Sequence, residues 1–121
     1  MTLLKLDQYI DNYIHRLQLK KAIKGMNNIA YQVKHSKKSK SLYLSLSLFI
    51  CNNNYKRTIR ISDHFLDNQH TRSHKFKGVL VAPNRNIGSN KLKKLESYIS
   101  KQIIKLLNDA PRHAIYTFKA N

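Results

Sequence analysis

Acidic side chains are scarce in this chain. Six Asp and Glu stand against 23 Lys and Arg, a formal net charge of +17 over 121 residues. No acid occurs between Asp11 and Asp63, a stretch that holds eleven Lys or Arg. A solvated surface normally mixes signs to limit self-repulsion. The imbalance therefore points to a polyanionic partner: nucleic acid, an acidic protein groove or an anionic membrane. It argues against a mimic of DNA, which has to be acidic. The shortage also bears on catalysis, because six acids leave little from which to build a paired-carboxylate site. Asp63 and Asp67 share one loop, where such residues usually shape turns.

Other scarcities narrow the field further. One cysteine, Cys51, allows no intramolecular disulfide, which suits a reducing cytoplasm. Three glycines leave no Gly-rich phosphate loop. No run approaches 18 apolar residues, so nothing is expected to span a membrane, and no membrane partner is expected. Met1 to Ile10 carries Lys5 and Asp7 and has no long apolar core, so it does not read as a signal peptide.

What is present is strong periodicity. Leu42, Leu44, Leu46, Leu48 and Ile50 recur at every second position, with Tyr43, Ser45, Ser47, Phe49 and Cys51 between them. Successive side chains leave a strand on opposite faces, so this is a half-buried strand. Asn52, Asn53 and Asn54 tolerate the backbone of a tight reversal. A second strand runs from Tyr55 to Ser62. It places Ile59 and Ile61 on one face with Tyr55 and Arg57, and Lys56, Thr58, Arg60 and Ser62 on the other. The resulting hairpin, Lys40 to His64, has one apolar face and one basic, hydroxylated face.

Around it, Leu3, Leu6, Ile10, Ile14 and Leu17 fall at helical spacing, widened by Tyr9 and Tyr13. Thr2 is the expected N-cap, and Gly25 with Asn27 and Asn28 the expected stop. Ile29 to Lys34 alternates as a short strand. His35 to Ser41 carries Lys37, Lys38 and Lys40, the densest basic cluster, in an exposed loop. Asp63 to His74 reads as a polar loop. Lys75 to Ala82 reads as a fourth strand, in which Gly78 marks a bulge or a close backbone approach. Ser89 or Asn90 caps a last helix with a stripe of Leu92, Leu95, Ile99, Ile103 and Leu106, ended before Pro111. Ile115 to Phe118 alternates weakly, as an added edge strand would. Residues 1–121 thus form a single small basic domain of α+β class. The expectation is a two-layer α-β-β-β-β-α arrangement. An antiparallel sheet of three to five strands carries an N-terminal and a C-terminal helix on one face, and the other face is wet.

Catalytic and metal readings fare poorly. Gln32-Val33-Lys34 has the look of the strand end of a metal-dependent nuclease, but such sites need a carboxylate where Gln stands. His64, His70 and His74 with Cys51 lack structural zinc spacing and read as exposed loop histidines. No enzyme, cofactor or metal is expected. Binding remains: Tyr31, Tyr43, Phe49 and Tyr55 are interleaved with cations, which neutralise phosphates while rings stack on bases. The expected partner-binding residues are Lys34, Lys37, Lys38, Lys40, Lys56, Arg57, Arg60 and Arg72.

The strand end Ile59-Arg60-Ile61-Ser62-Asp63-His64, the following Asp67-Asn68, the strand at Val79 to Val81 and the Lys-rich helix Leu92 to Leu107 resemble a group of small basic phage and mobile-element proteins that includes anti-CRISPR inhibitors of type II effector nucleases. The resemblance covers roughly residues 41 to 108. It implies a non-enzymatic inhibitor that binds a CRISPR–Cas effector complex or its guide RNA in the cytoplasm of a bacterial host. It departs from the inhibitors at the start, where Met1 to Lys24 reads as a helix and not as an arginine-rich arm. The motif also has a structural reading: Ser62, Asp63, His64 and Asn68 hold the strand end and its turn through local hydrogen bonds. The helix–strands–helix order resembles, as an alternative, the double-stranded-RNA-binding fold, with Lys91, Lys93 and Lys94 as the basic start of the last helix.

Overall fold

The computed structural model describes residues 1–21, 23, 25–50, 52–63, 65 and 73–109, with Ile50 as backbone only. Cys51, His64, Asp67, Asn68, His70, Arg72 and the segment Ile115 to Phe118 lie outside the described residues. The elements run α1 (Leu6–Lys20), β1 (Ile29–His35), β2 (Leu42–Ile50), β3 (Asn53–Ser62), β4 (His74–Phe76), β5 (Val79–Val81) and α2 (Ser89–Asp109). The five strands form one antiparallel sheet in sequence order. Both helices cover one face of it, as the α+β expectation required. No described helix is long and apolar enough to cross a membrane.

Register explains the core. Leu44 lies between Val33 and Ile59, Leu46 between Tyr31 and Arg57, and Leu48 between Ile29 and Tyr55. Leu42, Leu44, Leu46 and Leu48 are completely buried, along with Leu6, Ile10 and Ile14 of α1 and Ile103 and Leu106 of α2. Burying each such side chain contributes about 1.5–3 kcal/mol, so β2 is the spine of the fold. The helices clasp each other through polar groups: the Tyr9 hydroxyl donates to Glu96 Oε2 at 2.5 Å, and Tyr13 meets Ser100 Oγ at 2.6 Å. Burial and that carboxylate push the Tyr9 hydroxyl up to about 12.

Several boundaries differ from the sequence expectation. Thr2 makes no capping bond; a 3-10 turn at Leu3–Lys5 precedes α1. The helix stops at Lys21, which takes the left-handed conformation (φ 53°), ahead of Gly25. The apolar stripe has run out by then, since Leu19 is 68% exposed. Gly25 (φ 87°) instead starts the turn Met26–Asn28. At the other helix, the Leu92 N–H bonds to the Gly88 carbonyl, so Gly88 takes the cap position expected of Ser89 or Asn90. Of the three asparagines, only Asn52 (φ 65°) serves the reversal, while Asn53 and Asn54 already pair with Ile50 and Phe49.

The expected single strand Lys75 to Ala82 is a hairpin. Lys77 (φ 43°) and Gly78 (φ 88°) are both left-handed between the paired Phe76 and Val79. Two consecutive positive φ values define the tight reversal whose twist matches antiparallel strands. Gly78 is therefore half of a turn and no bulge. The hairpin also moves His74 from the expected exposed loop onto β4, where it is 1% exposed and its Nδ1 has no hydrogen-bond partner.

A true bulge sits in β3. Leu42 pairs with Ser62 while Tyr43 pairs with Arg60, so Ile61 is the extra residue. One added residue reverses the facing of the strand beyond it. Ser62, expected on the wet face, sits opposite core-facing Leu42 and is 1% exposed.

Candidate nucleic-acid interface

The face of the sheet away from the helices is a lattice fixed by register. Its first row is Lys34–Tyr43–Arg60, its second Gln32–Ser45–Thr58 and its third Ala30–Ser47–Lys56. Phe49 stands beyond them, 61% exposed. Small side chains at Ala30, Ser45 and Ser47 leave a shallow groove of about 270 Å³, with Lys34 and Lys56 on its rim. Lys56 and Arg60 are four residues apart on β3, about 13 Å along the strand.

The first row carries the most ordered cation. Arg60 donates from Nη2 and Nε to the Tyr43 hydroxyl, at 2.7 and 3.1 Å. Its guanidinium carbon lies 5.4 Å from the Tyr43 ring centroid. Asp63 Oδ1 stands 3.2 Å from Arg60 Nη1, an ion-pair distance without hydrogen-bond geometry. Hydrogen bonds from Ser39 and then Arg60 pull the Tyr43 hydroxyl below its usual range. The same contact with Tyr43 raises the Arg60 guanidinium further, so it stays charged at every working pH. Arg60 is thus held in place while its side chain stays 54% exposed, which lowers the ordering cost of meeting a phosphate.

Lys37, Lys38 and Lys40 lie in the β1–β2 loop at this same end of the sheet and are exposed. The loop has its own framework: Ser36 N–H bonds to the Ser41 carbonyl at 2.9 Å, and Ser39 N–H to Ser36 Oγ at 3.3 Å. The structure therefore brings together Lys34, Lys37, Lys38, Lys40 and Arg60, with Lys56 two rows away. Arg57 stands apart. It faces α2, donating from Nε to Gln102 Oε1 at 2.5 Å and pairing with Asp109 at 3.4 Å. Tyr31 and Tyr55 also turn toward the helices and pack on the core, so among the described residues Tyr43 and Phe49 are the ring surfaces of the wet face.

The strand-end motif divides. The Ser62 hydroxyl donates to the Asp63 carbonyl at 3.4 Å, and the backbone of Asp63 pairs with Lys75 (N–H to carbonyl, 2.7 Å), joining β4 to β3. The Asp63 carboxylate reaches Arg60. His64, Asn68 and Arg72 lie outside the described residues. Two contributors went unread in the sequence. Lys75 alternates with buried His74 and Phe76 and so points to the wet side, where a second hollow of about 360 Å³ lies between Arg60, Asp63, Lys75 and Lys77. The alternation His74-Lys75-Phe76 was the available signal. The uncharged floor of Ala30, Gln32, Ser45 and Ser47 emerges only from pairing.

Among the described residues, no group of three or more His, Cys, Asp or Glu is placed to hold a metal ion. Chemically, the face offers fixed positive charge, hydroxyl and amide hydrogen-bonding groups and two rings. That set suits a phosphodiester backbone with accessible bases. Comparison with protein-family models, curated proteins and solved structures finds no match for this chain.

Proposed function

We propose that the chain is a non-enzymatic binder of an RNA-containing assembly, and that the assembly is a CRISPR–Cas effector ribonucleoprotein. In this reading the protein acts in the bacterial cytoplasm as an anti-CRISPR inhibitor. It lays the wet face and the Lys37 loop against guide RNA and so blocks binding or cleavage of the target nucleic acid. The observation that carries the binding part is the Lys34–Tyr43–Arg60 row, a positioned cation beside a ring on the sheet face opposite α1 and α2. Asp63 is the sole acid between positions 12 and 66 and is engaged by Arg60. The choice of effector rests on the resemblance over roughly residues 41 to 108 alone. The test is target cleavage by a guide-loaded type II effector with increasing amounts of the chain. Inhibition that the variant Arg60→Glu lacks is the expected result. Full cleavage at saturating chain, repeated across effector types, removes the anti-CRISPR part.

One observation favours a second reading. Lys91, Lys93 and Lys94 are all exposed at the start of α2, where a double-stranded-RNA-binding fold would present basic residues to a duplex. Binding to duplex RNA in the absence of any effector, lost in Lys91→Gln with Lys93→Gln and Lys94→Gln, would select it.

A further inference from the structure

A second surface lies across the β4–β5 hairpin from the wet face. Between that hairpin and α2 runs an apolar groove of about 210 Å³, floored by Val79, Leu95 and Tyr98 and rimmed by Lys77, Lys91 and Lys94. Lys91, Lys94, Leu95 and Tyr98 follow one helical stripe, so a single face of α2 supplies half of it. Lys77 Nζ is 2.9 Å from the Tyr98 ring centroid, which fixes one side. None of the three lysines pairs with an acid among the described residues. Beside the groove, β5 is the last strand of the sheet, and its Val79 and Leu80 are 43% and 73% exposed. No strand among the described residues pairs with its outer edge, and exposed apolar residues on such an edge form a template for pairing.

We propose that this groove and edge together dock an acidic, extended peptide segment of a partner protein, added to the sheet beside β5. Three features select that occupant. The groove is smaller than the roughly 300 Å³ at which small-molecule pockets begin, and fits one or two apolar side chains instead. The neighbouring edge offers main-chain pairing to an extended chain. The three lysines, which meet no acid among the described residues, favour acidic residues flanking the apolar anchor. The opposite edge of the sheet is unsuited to the same peptide, because Asp7 and Asp11 line the hollow beside β1. This surface does not depend on the RNA reading. The two would act together on a ribonucleoprotein, one on RNA and one on protein.

The test is fluorescence anisotropy of a labelled peptide of alternating Glu and Leu with the full chain. Saturable binding is expected, with none for the Lys/Leu counterpart. The pair Lys91→Glu and Lys94→Glu should weaken it by about tenfold or more. A probe N-methylated at alternate residues, which keeps its charges and loses main-chain donors, should weaken similarly. That probe decides the matter on the unaltered chain should the double variant lose its circular dichroism spectrum. Absence of binding, unchanged affinity of the N-methylated probe, or unchanged affinity of a folded double variant overturns the proposal. So does a change in oligomeric state in the double variant, which would make a second copy the occupant. Loss of RNA affinity without peptide binding would assign the lysines to RNA.

Discussion

Replacing Lys34, Lys56 and Arg60 together by glutamine removes the three cations that frame the wet face. Lys34 and Lys56 are exposed and the Arg60 side chain is 54% exposed, although the Asp63 side chain it pairs with is only 25% exposed. Solvent already screens these charges, so the fold should be little affected. Binding should be affected strongly and in a specific way. Each phosphate neutralised on a single strand contributes about 0.7 to the slope of log affinity against log salt, so losing three contacts flattens the slope by about 2. Over a fourfold rise in salt, the parent chain should then lose about fifteenfold more affinity than the variant. The assay is anisotropy of a labelled single-stranded RNA titrated at several KCl concentrations. The control is Lys5→Gln with Lys101→Gln and Lys105→Gln, which lowers net charge equally at exposed positions on α2 and the turn before α1. If the control flattens the slope as much as the wet-face variant, binding follows net charge, and the assignment to this face is wrong.

Reversing Lys37, Lys38 and Lys40 to glutamate should weaken RNA binding while leaving the thermal midpoint nearly unchanged; a folded variant of unaltered affinity removes the loop from the interface. Gly25→Ala should destabilise the fold by about 1–3 kcal/mol in urea titration, because the residue has φ 87° and a Cβ would sit 3.1 Å from Leu107 Cδ2. No loss would mean the turn relaxes freely. Tyr9 gives a pH signature. Its hydroxyl is raised from 10.0 to about 12 in the fold, so its contribution to stability is complete below pH 10 and is lost as pH rises toward about 12. Tyr9→Phe should therefore show a shallower decline of urea midpoint over that window; parallel declines contradict the Tyr9–Glu96 bond. Leu46→Ala, at a fully buried position in the central spine, should cost about 2–5 kcal/mol by the same titration; less than 1 kcal/mol would mean the core does not centre on β2.

Periodicity made the fold legible, and it failed where periodicity fails. The Leu42–Leu48 alternation and the two helical stripes define which surfaces must meet, and those surfaces do meet. The β4–β5 reversal was hidden because its first residue is Lys77, a type that rarely adopts positive φ and gives no turn signal before Gly78. The β3 bulge was hidden because an extra residue breaks no local pattern: it shows only when Leu42 is found opposite Ser62, and it alone moved that serine into the core. The site was legible as a composition of cations and less so as a geometry. Lys34, Lys56 and Arg60 could be placed on one face by counting in twos. That Arg60 would be pinned by Tyr43, and that Lys34 would complete the same row, depended on pairing between strands. Arg57 shows the limit from the other side, since its charge suggested a partner outside the fold and its register delivered Gln102 and Asp109 within it.

Engagement of an effector ribonucleoprotein through its RNA, by the wet face, is the proposal on which the functional reading stands or falls. Co-purification of the tagged chain with candidate CRISPR effectors, with and without guide RNA, measures it without an intermediary. The expected result is capture of the guide-loaded complex, weak or absent capture of the RNA-free protein, and loss of capture with Lys34→Gln, Lys56→Gln and Arg60→Gln together. Equal capture with and without guide, undiminished by the triple variant, would contradict it, as would failure to capture any effector of any type.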